Sequence, residues 1–297
     1  MVRPRRFYSN PETALTNAFQ TPAGNQVTED EAVREFDEFV DCLGDHGVNV
    51  ITIDDTPEPP TPDAVFPNNW ISTHSDGSVV TYPMQPVSRR AERRLDVLDR
   101  LRERGYDVRR HLDLSALEND DVFLEGTGSM VLDRVHRRAY ACWSARTHEA
   151  GLRAFCRAMI YEPVGFDAAD QDGQAIYHTN VMMCVGDRFI VACVDAIDPA
   201  QRPRVVRAMQ ADHELIEISV AQMNAFAGNM LQVIGTGGEA LLIMSQRARA
   251  SLNADQVAAL AQYARIVAVP IPNIEDAAGG SVRCMLAEIF LPRGVSL

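Results

Sequence analysis

Lysine is absent from this 297-residue sequence, and all 28 of its basic residues are arginine. Because 41 acidic residues outnumber them, the formal net charge at pH 7 is −13. An acidic chain is a poor partner for nucleic acid or for an anionic membrane, and we expect neither. Arginines do cluster at 89–94 and 100–110, but acidic residues interleave them. That pattern favours a solvent-exposed helix face over a binding patch.

Several features of other protein classes are also missing. No apolar run approaches the roughly 18 residues of a membrane span, and the N-terminus lacks the apolar core of a secretory signal. The six cysteines form no CxxC pair, which in a chain of this length indicates reduced thiols and a cytoplasmic location. No zinc motif is present, and GTGS (126–129) and GTGG (235–238) fit no phosphate-binding loop. We therefore expect no metal and no cofactor.

Five polar residues recur along the chain at a nearly constant spacing. They are Asn69, Glu125, His178, Asn229 and Cys284, separated by 56, 53, 51 and 55 residues. Each lies at or just before an apolar segment typical of a β-strand. A period of this length indicates a repeated supersecondary unit. In a radial arrangement of repeats, equivalent positions face one central channel, where a thiol, an imidazole, a carboxylate and two amides would meet.

Each period is predicted to contain two strands, a helix and a third strand. In the first unit, Ala91, Leu95, Leu98 and Leu101 keep the spacing of one helix face. The predicted first strands of the four complete units are WISTH (70–74), SMVLD (129–133), VMMCV (181–185) and MLQVIG (230–235).

A fifth unit is divided between the two ends of the chain. Its first strand is predicted at CMLAEIF (284–290), and only a helix over 30–43, capped at Thr28, and the strand VNVITI (48–53) can complete it. We therefore predict an α/β fold: a five-bladed pseudosymmetric α/β propeller of ββαβ units around a central channel. Residues 1–297 would form a single catalytic domain. The alternative is a doubly wound parallel sheet, which alternates one strand with one helix and fits the pattern less well.

Three of the periodic residues form a set that can perform nucleophilic catalysis. Cys284 follows a glycine pair and neighbours Arg283, and a nearby cation favours the reactive thiolate. His178 can transfer protons near neutral pH. Glu125 follows apolar residues, so its carboxylate needs a partner, and orienting His178 or binding substrate nitrogens would supply one. The other five cysteines are interpreted as buried small hydrophobic residues.

Four motifs contain or adjoin the periodic residues: FPNNW (66–70), LEGTGS (124–129), YHTN (177–180) and GGSVRCM (279–285). They resemble those of the guanidino-group modifying enzymes, the pentein superfamily of arginine deiminases, dimethylarginine hydrolases and amidinotransferases. The opening MVRP, NPETA and TNAFQ, together with FPNNW, resemble more closely the citrulline-utilisation hydrolase type, often described as amidinotransferase-like. The resemblance covers nearly the whole chain.

The resemblance implies a five-bladed propeller and a role for each site residue. Cys284 would be the nucleophile, His178 the acid and base, and Glu125 its partner. Arg146, in SARTHE, resembles the arginine that holds the substrate α-carboxylate, a task suited to a bidentate guanidinium. Asn229 would line the site.

Two positions depart from the arginine deiminases. Where those enzymes usually have aspartates that grip a guanidinium, this chain has Asn69 and Asn180. A desolvated cation without a counter-charge is costly, so the change disfavours a guanidinium. An amide offers both a donor and an acceptor, which suits a neutral ureido group. We therefore expect a small amino acid substrate, with citrulline favoured, hydrolysed to ornithine, carbon dioxide and ammonia.

Other functions remain open at this stage. The chain could deiminate arginine or a methylarginine to citrulline, or it could transfer an amidino group to an amine. It could also be a propeller that binds amino acids without catalysis. Glu275 and Asp276 could bind a substrate ammonium group, although a solvent-exposed acidic loop is the more ordinary interpretation. The sequence does not indicate an oligomeric state.

Overall fold

A computed structural model describes residues 1–20 and 29–294 of the chain. The helix cap predicted at Thr28 lies outside these residues. The described chain has an α/β fold built of small sheets, none of which is closed. None of its helices combines the length and the apolar composition needed to cross a membrane.

Fourteen strands are present among the described residues. In chain order they are β1 (Val2–Arg3), β2 (Ile53–Asp54), β3 (Ile71–Thr73), β4 (Ser78–Thr81), β5 (Arg110–Asp113), β6 (Val131–Asp133), β7 (Arg138–Cys142), β8 (Glu162–Phe166), β9 (Met183–Val185), β10 (Phe189–Ala192), β11 (Glu214–Glu217), β12 (Leu231–Ile234), β13 (Ala240–Ser245) and β14 (Arg265–Val269).

The helices include several single turns as well as the longer elements that cover the sheets. In chain order the α-helices are α1 (Pro11–Ala14), α2 (Glu29–Asp45), α3 (Asp96–Glu103), α4 (Gly126–Ser129), α5 (Glu149–Met159), α6 (Thr179–Met182), α7 (Arg202–Gln210), α8 (Val220–Asn224), α9 (Gln246–Ser251), α10 (Ala254–Ala261) and α11 (Pro272–Ala278). Short 3-10 helices lie at Pro67–Asn69, Val87–Glu92, Ser115–Asp120 and Val194–Ala196.

Four sheets reproduce the predicted unit. Their strand orders are β3-β4-β5, β6-β7-β8, β9-β10-β11 and β12-β13-β14. In each sheet the first two strands pair antiparallel, and the third, which follows a helix, pairs parallel with the second. β9 contacts both β6 and β12, so the first strands of three successive sheets lie side by side. The hairpin, helix and strand predicted for these four units are therefore confirmed.

The helix α5 shows how the sequence specifies the covering elements. Leu152, Phe155, Cys156 and Met159 recur three and four residues apart and are all buried. They pack with the second strand β7 in one apolar cluster. The helix ends at Ile160, whose backbone has the left-handed φ of 59°.

The helix predicted for the first unit begins later than the spacing of its apolar residues suggested. α3 begins at Asp96, and residues Val87–Glu92 form a separate 3-10 helix. Leu98 and Leu101 are buried as predicted, but Leu95 is 54% exposed. The polar side chain of Arg89, rather than an apolar one, fills the interior next to the 3-10 helix.

The two chain ends meet, but only part of the fifth predicted unit forms strands. β1 pairs parallel with β2, and α2 lies between them in the sequence. The segment CMLAEIF forms no ladder. Instead, Thr73 Oγ1 donates to the carbonyl oxygen of Glu288 at 2.9 Å and accepts from the backbone N–H of Phe290 at 2.7 Å. Side-chain hydrogen bonds therefore replace the strand pairing that the sequence predicted.

Candidate active site

Three of the periodic residues lie on short turns that precede the first strands of their units. Glu125 comes directly before α4 and His178 directly before α6, while Asn69 ends the 3-10 helix Pro67–Asn69. Cys284 lies in a turn whose N–H groups donate to carbonyls three residues earlier. α4 packs against both α6 and the 3-10 helix. This packing brings together residues that are more than 50 positions apart in sequence.

Two glycines of the LEGTGS motif allow these turns to approach one another. Gly126 has a φ of +49°, and a Cβ there would lie 2.3 Å from the carbonyl oxygen of Asn68. A Cβ on Gly128 would lie 2.3 Å from Asn69 Nδ2 and 2.8 Å from the ring of His178. Such distances are well inside van der Waals contact, so any larger residue would push the turns apart.

A buried carboxylate and a buried imidazole form the central pair. His178 Nε2 donates to Glu125 Oε2 at 2.8 Å, and Glu125 Oε1 accepts the backbone N–H of Gln85 at 3.0 Å. Both side chains are almost fully buried. The bond fixes the ring and leaves His178 Nδ1 as its second functional nitrogen.

The charges around this pair keep the carboxylate ionised and the imidazole neutral. Burial would raise the pKa of Glu125, but Arg146, His178 and Arg89 together outweigh it and lower the pKa to about 2. Burial lowers the pKa of His178 to about 4, although the bond to Glu125 opposes it. At neutral pH the pair is therefore a carboxylate and a neutral ring.

The sulfur of Cys284 receives two amide donors. Asn180 Nδ2 lies 3.2 Å and Asn229 Nδ2 lies 3.3 Å from Sγ. Asn229 also accepts the backbone N–H of Arg283 at 3.0 Å, which ties it to the turn that carries Cys284. N–H donors stabilise a sulfur that carries negative charge. Asn180 Oδ1 is buried and has no hydrogen-bond partner, so it is available to a ligand.

The acidic residues before Cys284 support its loop. Glu275 is buried, accepts from Ser281 Oγ at 2.6 Å and lies 3.1 Å from Arg247 Nε. Asp276 pairs with the same arginine at 2.7 Å. The interpretation of Glu275 as solvent-exposed is therefore wrong: its carboxylate fixes the turn that carries Cys284.

Arg89 is a site residue that the sequence did not reveal. Its guanidinium makes two 2.9 Å hydrogen bonds to Glu92 and donates to Asn69 Oδ1 at 2.8 Å. It also lies 3.8 Å from both Glu125 and Asp63. Burial opposes its charge, but Glu92 and Asp63 outweigh that effect and raise its pKa. The assignment of residue 89 to a solvent-exposed face is wrong. Interleaved charges give the same sequence pattern whether the ion pairs are buried or exposed to solvent.

Asp63 is a second site residue that the sequence did not reveal, and it ends the proline-rich segment DDTPEPPTPD (54–63). It is buried, accepts from Asn10 Nδ2 at 2.8 Å and lines the same cavity as Cys284. The signal that could have revealed it is its position three residues before the FPNNW motif. An acidic residue directly before a site turn is a candidate for the site itself.

Arg146 fastens the N-terminal segment to the site. Its Nε and Nη2 donate to Thr16 Oγ1 at 3.0 and 2.7 Å, and Nη2 also donates to the carbonyl oxygen of Thr13 at 3.0 Å. Nη1 lies 3.7 Å from Glu125 Oε2, and the guanidinium carbon is 5.1 Å from the ring centre of Tyr177. Every donor nitrogen of this arginine thus faces a partner already present in the fold.

The site encloses a cavity of only about 10 Å³. That is about the space of one water molecule. A much larger cavity, of about 520 Å³, lies along β6, β9 and β12, and neither Glu125, His178 nor Cys284 lines it. The small cavity is the candidate active site, because Cys284 and His178 both line it. Its lining is Thr13, Asn17, Asp63, Phe66, Asn69, Arg89, Arg146, Tyr177, His178, Ala278, Gly280 and Cys284.

The remaining cysteines lie outside this environment. All six are free thiols. Burial raises the pKa of Cys142, Cys156 and Cys184 to about 12, so these thiols stay protonated and unreactive.

Comparison with known proteins identifies a family model that matches residues 3–291, described as N,N dimethylarginine dimethylhydrolase, eukaryotic. No curated protein sequence matches the chain.

Several solved structures share the fold. The cyanobacterial arginine dihydrolase ArgZ has a TM-score of 0.77 at 18% identity, over 99% of this chain and 40% of its own. AgrE has a TM-score of 0.73 at 21% identity, over 96% of this chain and 38% of its own. A dimethylarginine dimethylaminohydrolase, in an adduct with S-methyl-L-thiocitrulline, has a TM-score of 0.66 at 16% identity over 96% of both chains. This chain spans about two fifths of ArgZ and AgrE, and it matches the N-terminal domain of ArgZ over 98% of both.

Proposed function

Because the chain belongs to the N,N-dimethylarginine dimethylhydrolase family of guanidino-group modifying (pentein) hydrolases, we propose that it hydrolyses a C–N bond of a ureido or guanidino group, with citrulline as its substrate. One observation carries the proposal. The sulfur of Cys284 accepts two amide N–H groups at the edge of a cavity that is also lined by His178, whose ring is bonded to Glu125.

Cys284 is proposed as the nucleophile. Its thiolate would attack the ureido carbon and form a covalent intermediate. The amides of Asn180 and Asn229 support this role, since they donate to Sγ and stabilise its negative charge. The conversion balances as citrulline and water giving ornithine, carbon dioxide and ammonia.

His178 is proposed to move the protons. With Nε2 bound to ionised Glu125, Nδ1 of the neutral ring would accept the proton of the Cys284 thiol, give it to the departing nitrogen and then accept another from the attacking water. Glu125 would stabilise the imidazolium that forms each time Nδ1 holds a proton. The low pKa of Glu125 supports this, because the carboxylate stays charged throughout.

The charges already present favour a neutral substrate group. The two carboxylates that lie closest to Arg89, apart from Glu92, are Asp63 and Glu125, and Glu125 also faces Arg146. These carboxylates are thus already paired with arginines, and a neutral ureido group can bind without a further counter-charge. The amide of Asn69 lines the cavity. A ureido oxygen can accept from such an amide, whereas a guanidinium has only donors.

Arg146 is proposed to bind the substrate α-carboxylate, and Asn69, Asn180 and Asn229 to line the ureido subsite. Arg146 borders the cavity, and its cationic fork suits a carboxylate. That role requires it to exchange at least one of its hydrogen bonds to Thr13 and Thr16 for the substrate.

We further propose that residues 1–297 act as one catalytic domain in a five-bladed arrangement, with the β1–β2 pair and the C-terminal segment as the fifth unit. The parallel pairing of β1 with β2 and the sequential contacts of β6, β9 and β12 support it. The six free thiols support a reducing, cytoplasmic location.

Arginine or a methylarginine is the second candidate substrate. The buried carboxylate of Asp63, which lines the cavity, favours it because a guanidinium gains from a nearby anion. ArgZ, which has a similar fold, is an arginine dihydrolase, and the family model is named for a methylated arginine.

One assay separates these possibilities. Purified protein is incubated with citrulline, arginine, methylarginines or agmatine, without any amine acceptor, and ammonia, ornithine and citrulline are measured. We expect ammonia and ornithine from citrulline, and no product from the Cys284→Ala variant. Ammonia from arginine but none from citrulline would exclude the ureido substrate. A product that appears only when an amine is added would indicate an amidinotransferase.

The Asn69→Asp variant tests the charge argument directly. The new carboxylate can keep the hydrogen bond from Arg89 but adds a negative charge to the cavity. We expect the ratio of kcat/KM for citrulline to that for arginine to fall by about 100-fold, which corresponds to about 3 kcal/mol. An unchanged ratio would mean that position 69 does not select the substrate.

A further inference from the structure

A second cluster of chemically active side chains lies outside the site. Asp133 ends β6, His136 lies in the turn from β6 to β7, and His213 lies between α7 and β11. One ligand atom from each residue can be chosen so that all three lie within 4.8 Å of one another. None of the three lines the small cavity.

The separations fit a small divalent ion. His136 Nδ1 lies 3.0 Å and His213 Nε2 lies 3.8 Å from Asp133 Oδ2. An ion with bonds of about 2.1 Å in a tetrahedral site holds its ligands about 3.4 Å apart. The two distances fall on either side of that value, each about 0.4 Å from it.

The histidine on the inner side lacks the partners that a buried ring normally has. The side chain of His213 is 1% exposed, yet its Nδ1 has no hydrogen-bond partner and its Nε2 is farther from Asp133 than a hydrogen bond allows. A buried polar group without a partner is costly. A metal bond at Nε2, the nitrogen that faces Asp133, would give this ring one partner and leave Nδ1 as it is.

The neighbouring residues hold this arrangement in place. Asp133 accepts the backbone N–H of His136 at 2.9 Å, and the two imidazole rings meet edge to face with centres 5.1 Å apart. Asp212 Oδ1 lies 3.8 Å from His136 Nε2 and is paired with Arg138. His136 is 30% exposed, which gives an ion a route from solvent.

We propose that Asp133, His136 and His213 bind a late first-row divalent metal ion of the zinc class. Two imidazoles with one carboxylate suit such ions, whereas calcium and magnesium require oxygen ligands. The ion links the β6–β7 turn of the second sheet to the connection before β11 of the third sheet. It therefore joins two successive units and has no part in the chemistry at Cys284.

Zinc titration of the whole chain by calorimetry tests the site. The Cys284→Ala background is used because zinc also binds thiolates, and His213→Asn and His136→Asn are compared with His111→Asn, whose ring bonds Thr81 on another sheet. We expect one ion per chain, with zinc affinity falling about tenfold or more in the first two variants and unchanged in the third. Zinc should raise the melting temperature of the Cys284→Ala chain but not of His213→Asn.

Two further measurements guard against misfolding and against binding elsewhere. His136 is partly exposed, so His136→Asn tests the site even if His213→Asn does not fold, as judged by circular dichroism. Anomalous scattering at the zinc edge should show an ion between the three side chains. Equal zinc affinity in all variants, or an anomalous peak only at another position, would overturn the proposal and leave a cluster of hydrogen-bonded side chains.

Discussion

Two arginine–glutamate pairs with the same spacing have opposite environments in this chain. Arg89 and Glu92 are 2.9 Å apart, with side-chain exposures of 2% and 0%. Arg100 and Glu103 are 3.3 Å apart, with exposures of 62% and 64%. Removing one partner of a buried pair costs about 3–5 kcal/mol, whereas an exposed pair contributes about 0–1 kcal/mol. The spacing of charges therefore does not reveal their importance; the surroundings decide it.

The largest contrast between interior and surface concerns the thiols. Cys284→Ala should lower kcat by about 10⁴-fold or more, because the covalent step is lost, while the melting temperature changes little. Cys42, which is half-buried on α2, is the matched control, and Cys42→Ala should keep full activity. Substantial turnover by Cys284→Ala would show that another group is the nucleophile.

The arginine pair itself can be tested by substitution with a residue of similar length. Arg89→Met should lower the free energy of unfolding by about 3–5 kcal/mol, because it leaves Glu92 without its counter-charge and Asn69 without its donor. Arg100→Met should change it by less than about 0.5 kcal/mol. Urea unfolding at pH 7 measures both, and equal effects would remove the distinction drawn between the two pairs.

Because His178 is buried, the free energy of unfolding should fall in acid. The pKa of His178 is about 4 in the folded chain against an ordinary value of 6.5. Since the folded pKa is depressed, the contribution is present above pH 6.5 and is lost as the pH falls to 4. It amounts to about 3 kcal/mol, from about 1.4 kcal/mol for each pKa unit.

Urea unfolding of the wild type and of His178→Asn at pH 7 and pH 4.5 measures this contribution. The wild type should lose more stability than the variant over that interval. Equal losses would indicate that the ring of His178 titrates as an exposed histidine does.

The smallest effect concerns two adjacent residues in the N-terminal segment. Thr16→Val removes both hydrogen bonds from Arg146 to the threonine hydroxyl and should cost about 1–2 kcal/mol. Leu15, which is 85% exposed, is the control, and Leu15→Ala should leave the free energy of unfolding unchanged. Limited proteolysis should also cleave the segment faster in Thr16→Val. Identical behaviour of the two variants would mean that the hydrogen bonds from Arg146 to Thr16 do not stabilise the segment.

The repeats and the spacing of the site residues could be predicted because they depend on local patterns. Alternating apolar runs identified the strands of four sheets, and the period identified the turns that carry Glu125, His178 and Cys284. The fifth unit was harder, since the segment after Cys284 bonds to the side chain of Thr73 instead of forming a ladder. No local sequence pattern shows whether the hydrogen-bonding groups of a backbone will pair with a strand or with a side chain.

The charged residues of the site could not be predicted for a related reason. Arg89 and Asp63 are flanked by other polar residues, and only the packing of distant segments buries them. Glu125 was identified because it keeps the period and follows apolar residues. A residue outside the period, such as Asp63, gives no such signal.

The hydrogen bonds from Arg146 to the N-terminal segment affect how an amino acid would reach Cys284. The guanidinium bonds Thr13 and Thr16 and lies 3.7 Å from Glu125, and the space inside holds about one water molecule. A substrate carboxylate that binds Arg146 must take over bonds that now hold the N-terminal segment. Substrate binding and release of the N-terminal segment would then be one exchange of hydrogen bonds at Arg146. A compound without a carboxylate, such as agmatine, could not replace these bonds.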